Sequence, residues 1–568
     1  MASSQDGIAP VKAADSEPNV ASVTDGIQTA MIASTQPADE AGKPEGDAPK
    51  EPTKSALKKA AKLREQQEKK AAKEKELAAQ KAKDDELRLA ALEEAKKVVI
   101  TEDASLPKAV KITTGEKDPK VVKLRATGDA DAVPDEDSRG TRVQVSGWIH
   151  RLRAQKDVIF ITLQDGYGDL QCVLAGPLTK TYDAMTLTRE TTITLYGEMW
   201  EVPSKQHAPD GRELHVDYYQ IMGKAPGDKR ALSTVLAPDA DPQTLYNHRH
   251  LALRGDVLSS VMKVRAAVLD AFRQTYKEIR PRRLTEVDPP ALVQTSVEGG
   301  STLFELNYFG EKSYLTQSSQ LYLETMLSRN GDVFCVQKSF RAEKSLTRRH
   351  LSEYTHIEAE LAFLTFDDML SHLELVMTRV IEITMSDPSI AQLIKTLNPD
   401  FQPPTQPFMR MRYEDAIAWL NEHEILNEEG KPHEFGDDIA EAAERKMTDI
   451  INRPIFLTHF PVSIKAFYME KDPNDRRVTE SVDCLMPGVG EIVGGSMRIK
   501  DYDELMAAFK RENLDPAPYY WYTEQREYGT CPHGGYGLGL ERFLAWMCAR
   551  YTVRDCIPYP RWTGRCKP

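Results

Sequence analysis

The sequence predicts an α+β protein. A small β-barrel precedes a larger domain of strands and long helices, and a disordered, then helical and basic, extension stands in front of both. Three observations carry this. Residues 142–174 alternate apolar and polar side chains in short runs: Val143-Gln144-Val145-Ser146-Gly147-Trp148-Ile149, Val158-Ile159-Phe160-Ile161-Thr162-Leu163 and Leu170-Gln171-Cys172-Val173-Leu174. Gly and Asp turns separate them, as half-buried strands of a barrel require. Residues 253–279 repeat their apolar positions at helical spacing and read as one long amphipathic helix. Between Thr53 and Val98 there is neither Pro nor Gly, and the composition turns to Lys, Ala, Glu and Leu.

Residues 1–52 are rich in Asp, Glu, Ala and Pro. They offer too little apolar surface to offset the entropy of ordering, so an acidic, disordered tail is expected. Residues 53–98 follow as a helix that Thr53 or Ser55 can cap. Its lysines, Lys54, Lys58, Lys59 and Lys62 and then Lys69, Lys70, Lys73 and Lys75, recur at spacings that put them on a shared face. Such a face binds RNA backbone through salt-sensitive contacts. Acidic residues interleave, so a solvated helix or coiled-coil arm is the alternative. Residues 99–138 read as a polar linker and 139–225 as the barrel. Residues 226–257, with Pro238, Pro242 and His248-Arg249-His250, read as a hinge, and 258–568 as the domain that carries the chemistry.

A chain of 568 residues with 40% hydrophobic content has room for two or three domains and a large core. No stretch approaches 18 consecutive apolar residues, so no membrane span is expected. The N-terminal residues lack both the apolar core of a secretory signal and the Arg-rich character of a mitochondrial transit peptide. The seven cysteines, at 172, 335, 484, 531, 548, 556 and 566, form no CxxC pair, which argues against a zinc site or a disulfide framework. A reduced, cytosolic protein is expected. The net charge of −13 excludes a surface that coats nucleic acid uniformly; RNA contact has to come from local basic patches.

Chemistry concentrates in two places. Phe340-Arg341-Ala342-Glu343 puts an Arg and a Glu two apart, on one face of an extended strand, and the polar, Arg-rich Arg348-Arg349-His350 and then Glu358 follow. Near the C-terminus, Gly534-Gly535-Tyr536-Gly537-Leu538-Gly539-Leu540-Glu541-Arg542 is a Gly-rich approach to a helix with an Arg at its start. Together they supply fixed positive charge for a triphosphate and room for a flat nucleobase. The pair resembles motifs 2 and 3 of class II aminoacyl-tRNA synthetases. The surrounding residues, from about 140 to 568, resemble the aspartyl, asparaginyl and lysyl subgroup, and within it the asparaginyl enzymes of eukaryotic cytosol.

The resemblance implies an antiparallel-sheet catalytic domain preceded by an OB-fold anticodon-binding barrel. It also implies a two-step reaction. An amino-acid carboxylate attacks the α-phosphorus of ATP and releases pyrophosphate, and the acyl group then moves to the 3′ end of a tRNA. The first step brings two anions together, so cations and rigid positioning are needed rather than a protein nucleophile; no GxSxG elbow or Cys–His pairing stands out. By the resemblance, Arg341 bridges the carboxylate and the α-phosphate, a task suited to a planar guanidinium. Glu343 accepts from the adenine amino group, and Arg349 with His350 meets the distal phosphates. Tyr354 lies under adenine, while Arg542 covers its other face and touches the γ-phosphate. In the barrel, Phe160 resembles the residue that stacks on the central anticodon base and Gln171 the one that reads its edge. On composition alone Phe160 reads as core.

The stretch from Asp483 through Glu491 to Arg498 resembles the family's metal strand. Glu491 leads and Asp483 is the second acid of a Mg²⁺ site built from hard oxygen donors. Their separation is one residue longer than in aspartyl enzymes. Asp288-Pro289-Pro290-Ala291-Leu292 resembles motif 1, with Pro290 its proline, which implies a homodimer. Glu298 resembles the residue that holds the substrate α-ammonium. The substrate side chain is addressed by Gln317-Ser318-Ser319-Gln320-Leu321-Tyr322-Leu323-Glu324. Aspartyl enzymes carry a Lys where this chain has Leu323, and that Lys pairs with the aspartate carboxylate. Without it a buried charge lacks a partner, whereas a neutral amide pays no such penalty. Arg498 is then left to donate to the amide oxygen, with Glu358 or Glu360 to accept from the amide nitrogen. The expected substrates are ATP, L-asparagine and tRNA(Asn). The alternatives are an aspartyl enzyme, an asparagine synthetase built on this catalytic core, and a non-catalytic paralogue that binds RNA.

Overall fold

The computed structural model describes residues 70, 77 and 80–568 apart from 128–130, 135–139, 203–206, 238–239, 298–302 and 345–346. The acidic tail, Lys54, Lys58, Lys59, Lys62, Pro238 and Glu298 lie outside the described residues. The chain divides into two units, Met1–Glu94 and Ala95–Pro568, and the second holds the barrel and the large domain. Of the lysine-rich run, residues 80–95 are helical.

The barrel is built from β1 Val110–Ile112, β2 Arg142–Ala154, β3 Val158–Gln164, β4 Asp169–Ala175, β5 Thr192–Glu201 and β6 Arg212–Gly223. They lie in the order β1-β2-β3-β4-β6-β5, and β2 pairs again with β5, so five strands close on themselves. The alternation places Val143, Val145, Ile149, Ile159, Ile161, Leu163, Leu170, Cys172 and Leu174 inside. A bulge between Ile149 and Arg151 bends the 13-residue β2, which lets it serve both β5 and β3. The polar linker expected over 99–138 is corrected here. β1 runs parallel to β2 and seats Ile112 in the barrel core, and Val122 bridges to Trp200. Three residues in a polar stretch show no period, so nothing local announces this strand.

In the large domain, α1 Asp256–Glu278 leads to β7 Thr285–Glu286, β8 Leu292–Val293, β9 Glu305–Tyr308 and β10 Glu311–Leu315. Then come α2 Gln320–Asn330, β11 Val333–Phe340, β12 Glu353–Ala362, α3 Phe366–Ser386, β13 Met409–Arg412 and α4 Glu441–Ile451. Strands β14 Ile455–Thr458, β15 Ser481–Met486, β16 Gly490–Met497 and β17 His533–Gly539 and helix α5 Leu540–Met547 follow, with further helices between them. Eight strands form a sheet in the order β13-β14-β15-β16-β17-β12-β11-β7. The six from β14 to β11 are antiparallel, and a short parallel strand lies on each edge. The antiparallel sheet implied by the resemblance is therefore present, six strands wide, with a parallel strand added on each edge.

Helix α1 buries Val261, Val264, Val268, Phe272 and Tyr276, three and four residues apart, and with α3 and α5 covers one face of this sheet. Alternate strand residues meet the helices: Ile357, Ala359 and Leu361 from β12, Val482, Cys484 and Met486 from β15, Tyr536 and Leu538 from β17. Their neighbours His356, Glu358, Glu360, Asp483, Gly535 and Gly537 turn to the opposite face, where the site is built. The expected hinge is tied to the chain's end. Buried Arg249 donates to the carbonyls of Arg554, Ile557 and Pro558, each at 2.9 Å.

Candidate active site

On the face of the sheet away from α1, a cavity of about 690 Å³ is lined by Gln320, Leu323, Arg341, Arg349, His350, Tyr354, Glu358, Glu360, Asp483, Glu491, Arg498 and Arg542, among others. Arg341 leaves the end of β11 with its backbone N–H donating to Ser352 O at 3.0 Å, and its guanidinium lies 5.6 Å above the Tyr354 ring. Glu343 faces Arg341 at 3.9 Å and His350 at 4.0 Å. Burial, and then Arg542, lower the His350 imidazole below its usual value.

Arg542, in the first turn of α5, donates to Glu491 Oε2 at 2.9 Å and to the Glu491 carbonyl at 3.1 Å. Arg349 donates to the same carbonyl at 3.3 Å. Burial works against ionisation of Glu491, but Arg542, then Arg349, Lys465 and Arg341, prevail and hold its carboxyl at about 2. Asp483 is pushed the other way by burial, even though Lys465 Nζ sits 2.8 Å from it.

The extra residue between Asp483 and Glu491 has a structural answer. Strands β15 and β16 pair Asp483 with Gly494 and Cys484 with Val493, but Leu485 with Glu491, so Ile492 is a bulge. Ile492 and Val493 both enter the core under the helices. Glu491 is thereby returned to the face that carries Asp483; without the bulge it would point to the helices. A side chain at Gly494 would touch Glu491 Oε1 at 3.4 Å and Asp483 Oδ1 at 3.5 Å, so the two carboxylates converge on one point. These are hard oxygen donors, one of them firmly ionised, and they fit a small divalent cation.

At the other end of the cavity Arg498 forks onto Glu360, Nε to Oε1 and Nη2 to Oε2, both at 3.0 Å. Leu323 is fully buried and packs against Leu327, Val333, Cys335 and Ala362. Glu358 accepts from Ser318 Oγ at 2.5 Å and the Ser319 N–H at 2.9 Å. Glu298 lies outside the described residues; next to it, the Val297 N–H donates to Gln317 Oε1 at 3.3 Å.

On the barrel, Phe160 faces outward between core residues Ile159 and Ile161, so the core reading of its composition is corrected. Its row across the sheet pairs it with Arg153, Val173 and His215, and the adjacent row holds Thr162, Gln171, Glu213 and Trp200. Arg153 lies 4.9 Å over the Phe160 ring, and His215 stacks on Trp200 at 4.4 Å with planes 3° apart. Gln171 donates to Glu213 Oε2 at 2.7 Å, and His215 Nε2 meets Oε1 at 2.8 Å. An aromatic and polar outer face of this kind suits unpaired bases.

Several residues of the site were not legible in the motifs. Lys465 reaches Asp483 from a connecting segment, and Glu444, on α4, accepts from the Glu491 N–H at 3.0 Å, its carboxyl pushed up to about 7 by burial and then by Glu491. Glu541, between the glycines and Arg542, lines the cavity and also anchors the motif. It accepts from Arg265 Nη1 at 2.8 Å and the Thr355 N–H at 3.0 Å. Glu324 joins Arg526 and His533 behind the cavity; its spacing of four from Gln320 on one helix was the available signal.

Comparison with known proteins finds matches along most of the chain. The family described as tRNA synthetases class II (D, K and N) matches residues 241–563, an OB-fold nucleic acid binding domain matches 143–222, and an asparaginyl-tRNA synthetase N-terminal domain matches 26–107. The cytoplasmic asparagine–tRNA ligase of Saccharomyces cerevisiae is 59% identical over 84% of this chain and 82% of its own length. The human enzyme of that name is 51% identical over 86% and 85%. Among solved structures, the Entamoeba histolytica asparaginyl-tRNA synthetase in complex with asparaginyl-adenylate matches with TM-score 0.72 and 44% identity, over 79% of this chain and all of that one. The Pyrococcus horikoshii enzyme with the same adenylate gives 0.70 and 34%, over 76% and 97%.

Proposed function

Because the chain belongs to the class II tRNA synthetases of the D, K and N group, we infer that it is an asparagine–tRNA ligase of the cytoplasm. It joins asparagine to ATP as asparaginyl-adenylate with release of pyrophosphate, then passes the asparaginyl group to the 3′ end of tRNA(Asn). The observation that carries this reading is one continuous cavity, running from the guanidinium groups of Arg341, Arg349 and Arg542 to the Glu360–Arg498 fork.

Adenylate formation sets a carboxylate against a triphosphate. Arg341 spans both anions with its planar donors and lowers the repulsion between them as the new P–O bond forms. Arg349 and His350 hold the distal phosphates and Arg542 the γ-phosphate. Adenine lies between Tyr354 and Arg542, its amino group donating to Glu343. Class II synthetases use ATP with a divalent metal. Glu491 and Asp483 are the residues that would hold it, as Mg²⁺, and bound there it supplies charge that draws electron density from the phosphate oxygens. At the other end, Arg498 donates to the side-chain oxygen of asparagine and Glu360 accepts from its amide nitrogen. Glu298 takes the α-ammonium, Gln320 lines the pocket, and Leu323 brings no cation to attract aspartate.

On the barrel, Phe160 stacks the central anticodon base and Gln171, held by Glu213, reads its edge. A homodimer forms through motif 1 around Pro290. Beside it the small sheet β8-β10-β9 exposes Leu292, Leu306 and Tyr308, with Phe309 93% exposed, an apolar surface that association would cover. Residues 53–98, with Lys54, Lys58, Lys59 and Lys62, hold tRNA backbone. Deleting residues 1–97 is expected to raise KM for tRNA about tenfold at low salt and to flatten its salt dependence, with adenylate formation unchanged. An unaltered KM would make this run a solvated arm.

ATP–pyrophosphate exchange with asparagine and aspartate side by side tests the whole reading. Exchange with asparagine alone is expected. Exchange with aspartate would move the chain to the aspartyl branch, and exchange with neither would make it a non-catalytic relative.

A further inference from the structure

Behind the wall of the amino-acid pocket, the carboxylate of Glu324 gathers donors from several sides. Its Oε2 accepts from Arg526 Nη2 at 2.6 Å and faces His533 Nε2 at 3.1 Å. Its Oε1 accepts from Gln320 Nε2 at 3.2 Å and Tyr522 Oη at 3.3 Å, and Arg498 Nε lies 3.9 Å away. The side chains of Glu324 and Arg526 are each 1% exposed and that of Arg498 is 3% exposed, so bulk water screens none of them. With Glu360 included, two guanidinium groups and two carboxylates are sealed together. Glu324, Glu360 and His533 converge closely enough to hold a cation, but Arg498 and Arg526 already occupy that role.

Glu324 does not line the cavity; Leu323 and Gln320, on the same helical turn, do. Arg498 is the cation of this cluster that lines the cavity, where the proposed reading puts the substrate side chain. The field it presents is what Glu324 and Glu360 leave of its own charge and that of Arg526. With both carboxylates ionised, the cluster carries no net charge apart from any proton on His533, which suits a carboxamide. With one neutralised, a positive charge would be exposed in a dry pocket, and that suits a carboxylate.

We propose that Glu324 is a specificity-determining positioning residue, which acts through Arg498 to cancel the pocket's positive charge and so makes the site reject aspartate. This rests on the asparagine-activating reading above. Absence of Leu323's cationic counterpart removes one attraction for aspartate; Glu324 removes a second, from the far side of the wall.

The test is ATP–pyrophosphate exchange by the full chain with each amino acid, comparing kcat/KM for aspartate with that for asparagine. In Glu324→Gln the ratio is expected to rise about 10- to 100-fold, whatever happens to absolute activity. A merely structural role would lower both substrates alike and leave the ratio unmoved, which would overturn the proposal. Glu324→Asp, which keeps the charge, is expected to hold the wild-type ratio. Should Glu324→Gln fail to fold, Arg526→Met decides the matter. Removing that cation leaves Glu324 in excess, so the Ki of aspartate as a competitor of asparagine is expected to rise about tenfold relative to the asparagine KM. An unchanged relative Ki would overturn the proposal. An unaltered chain that shows no exchange with asparagine would instead sink the reaction reading itself, and this inference with it.

Discussion

Arg341→Ala is expected to abolish asparaginyl-adenylate formation while the protein stays folded. The guanidinium sits over Tyr354 and is 26% exposed, so its removal uncovers little apolar surface. The backbone bond from Arg341 N–H to Ser352 O, which keeps the strand end in place, survives the change. What is lost is the cation between two reacting anions. Deleting one such preorganised donor costs about 10³-fold in rate, or about 4 kcal/mol, and an Arg shared by carboxylate and phosphate belongs at or above that figure. Pyrophosphate exchange should fall by at least about 10³-fold, with the thermal unfolding midpoint within a few degrees of wild type. Exchange that survives to within tenfold would remove Arg341 from the reacting centre. Lysine would not rescue it, because a point charge cannot span both partners in one plane.

Gly535→Ala carries the second large effect, on a different quantity. Gly535 pairs with Glu360 across β12 and β17, and a Cβ there would stand 2.6 Å from Glu360 Cδ and nearer still to its Oε2 and to the Ala359 carbonyl. One of these obstacles is backbone, so a rotamer change alone cannot relieve it. Overpacking of this kind costs about 1–3 kcal/mol, and here the strain falls on the fork that Glu360 makes with Arg498. The expected result is a midpoint lowered by several degrees and an asparagine KM raised at least about tenfold. Gly539→Ala is the control. There a Cβ would find nothing nearer than the Arg542 side chain, at 3.8 Å, and little change is expected. Equal tolerance at both positions would show that the glycine run does not serve the pocket.

The glycine run was legible as a motif, but which of its members touch the substrate pocket depends on strand pairing, and pairing is not written locally. Barrel strands β2, β3 and β4 announced themselves by alternation, because one face of each meets a core and the other meets solvent. Strand β1 did not, and neither did the parallel edges β7 and β13, which are short and take their place from neighbours. Residues on motif strands and loops, such as Arg341, Glu491, Arg498 and Arg542, came within reach of sequence because each sits in a run of residues recognisable by itself. Lys465, Glu444, Arg526 and His533 did not. None of them forms part of such a run, and only the fold brings each to the group it meets. Phe160 shows the opposite case. Composition argued for the interior, but the strand's period had already placed it outside, between two buried isoleucines.

The bulge at Ile492 has a consequence for kinship among such enzymes. Along a hairpin, what matters for two facing side chains is whether the count between them is odd or even, and an inserted residue inverts that parity. A second irregularity on the same strand inverts it back. The longer interval between Asp483 and Glu491 and the doubled core contact at Ile492–Val493 are thus a compensated pair: either change alone would turn a carboxylate into the helical layer, and together they are silent. Relatives are then expected to differ in this interval only in company with the bulge, and a pattern keyed to one fixed interval would pass over those that carry the other.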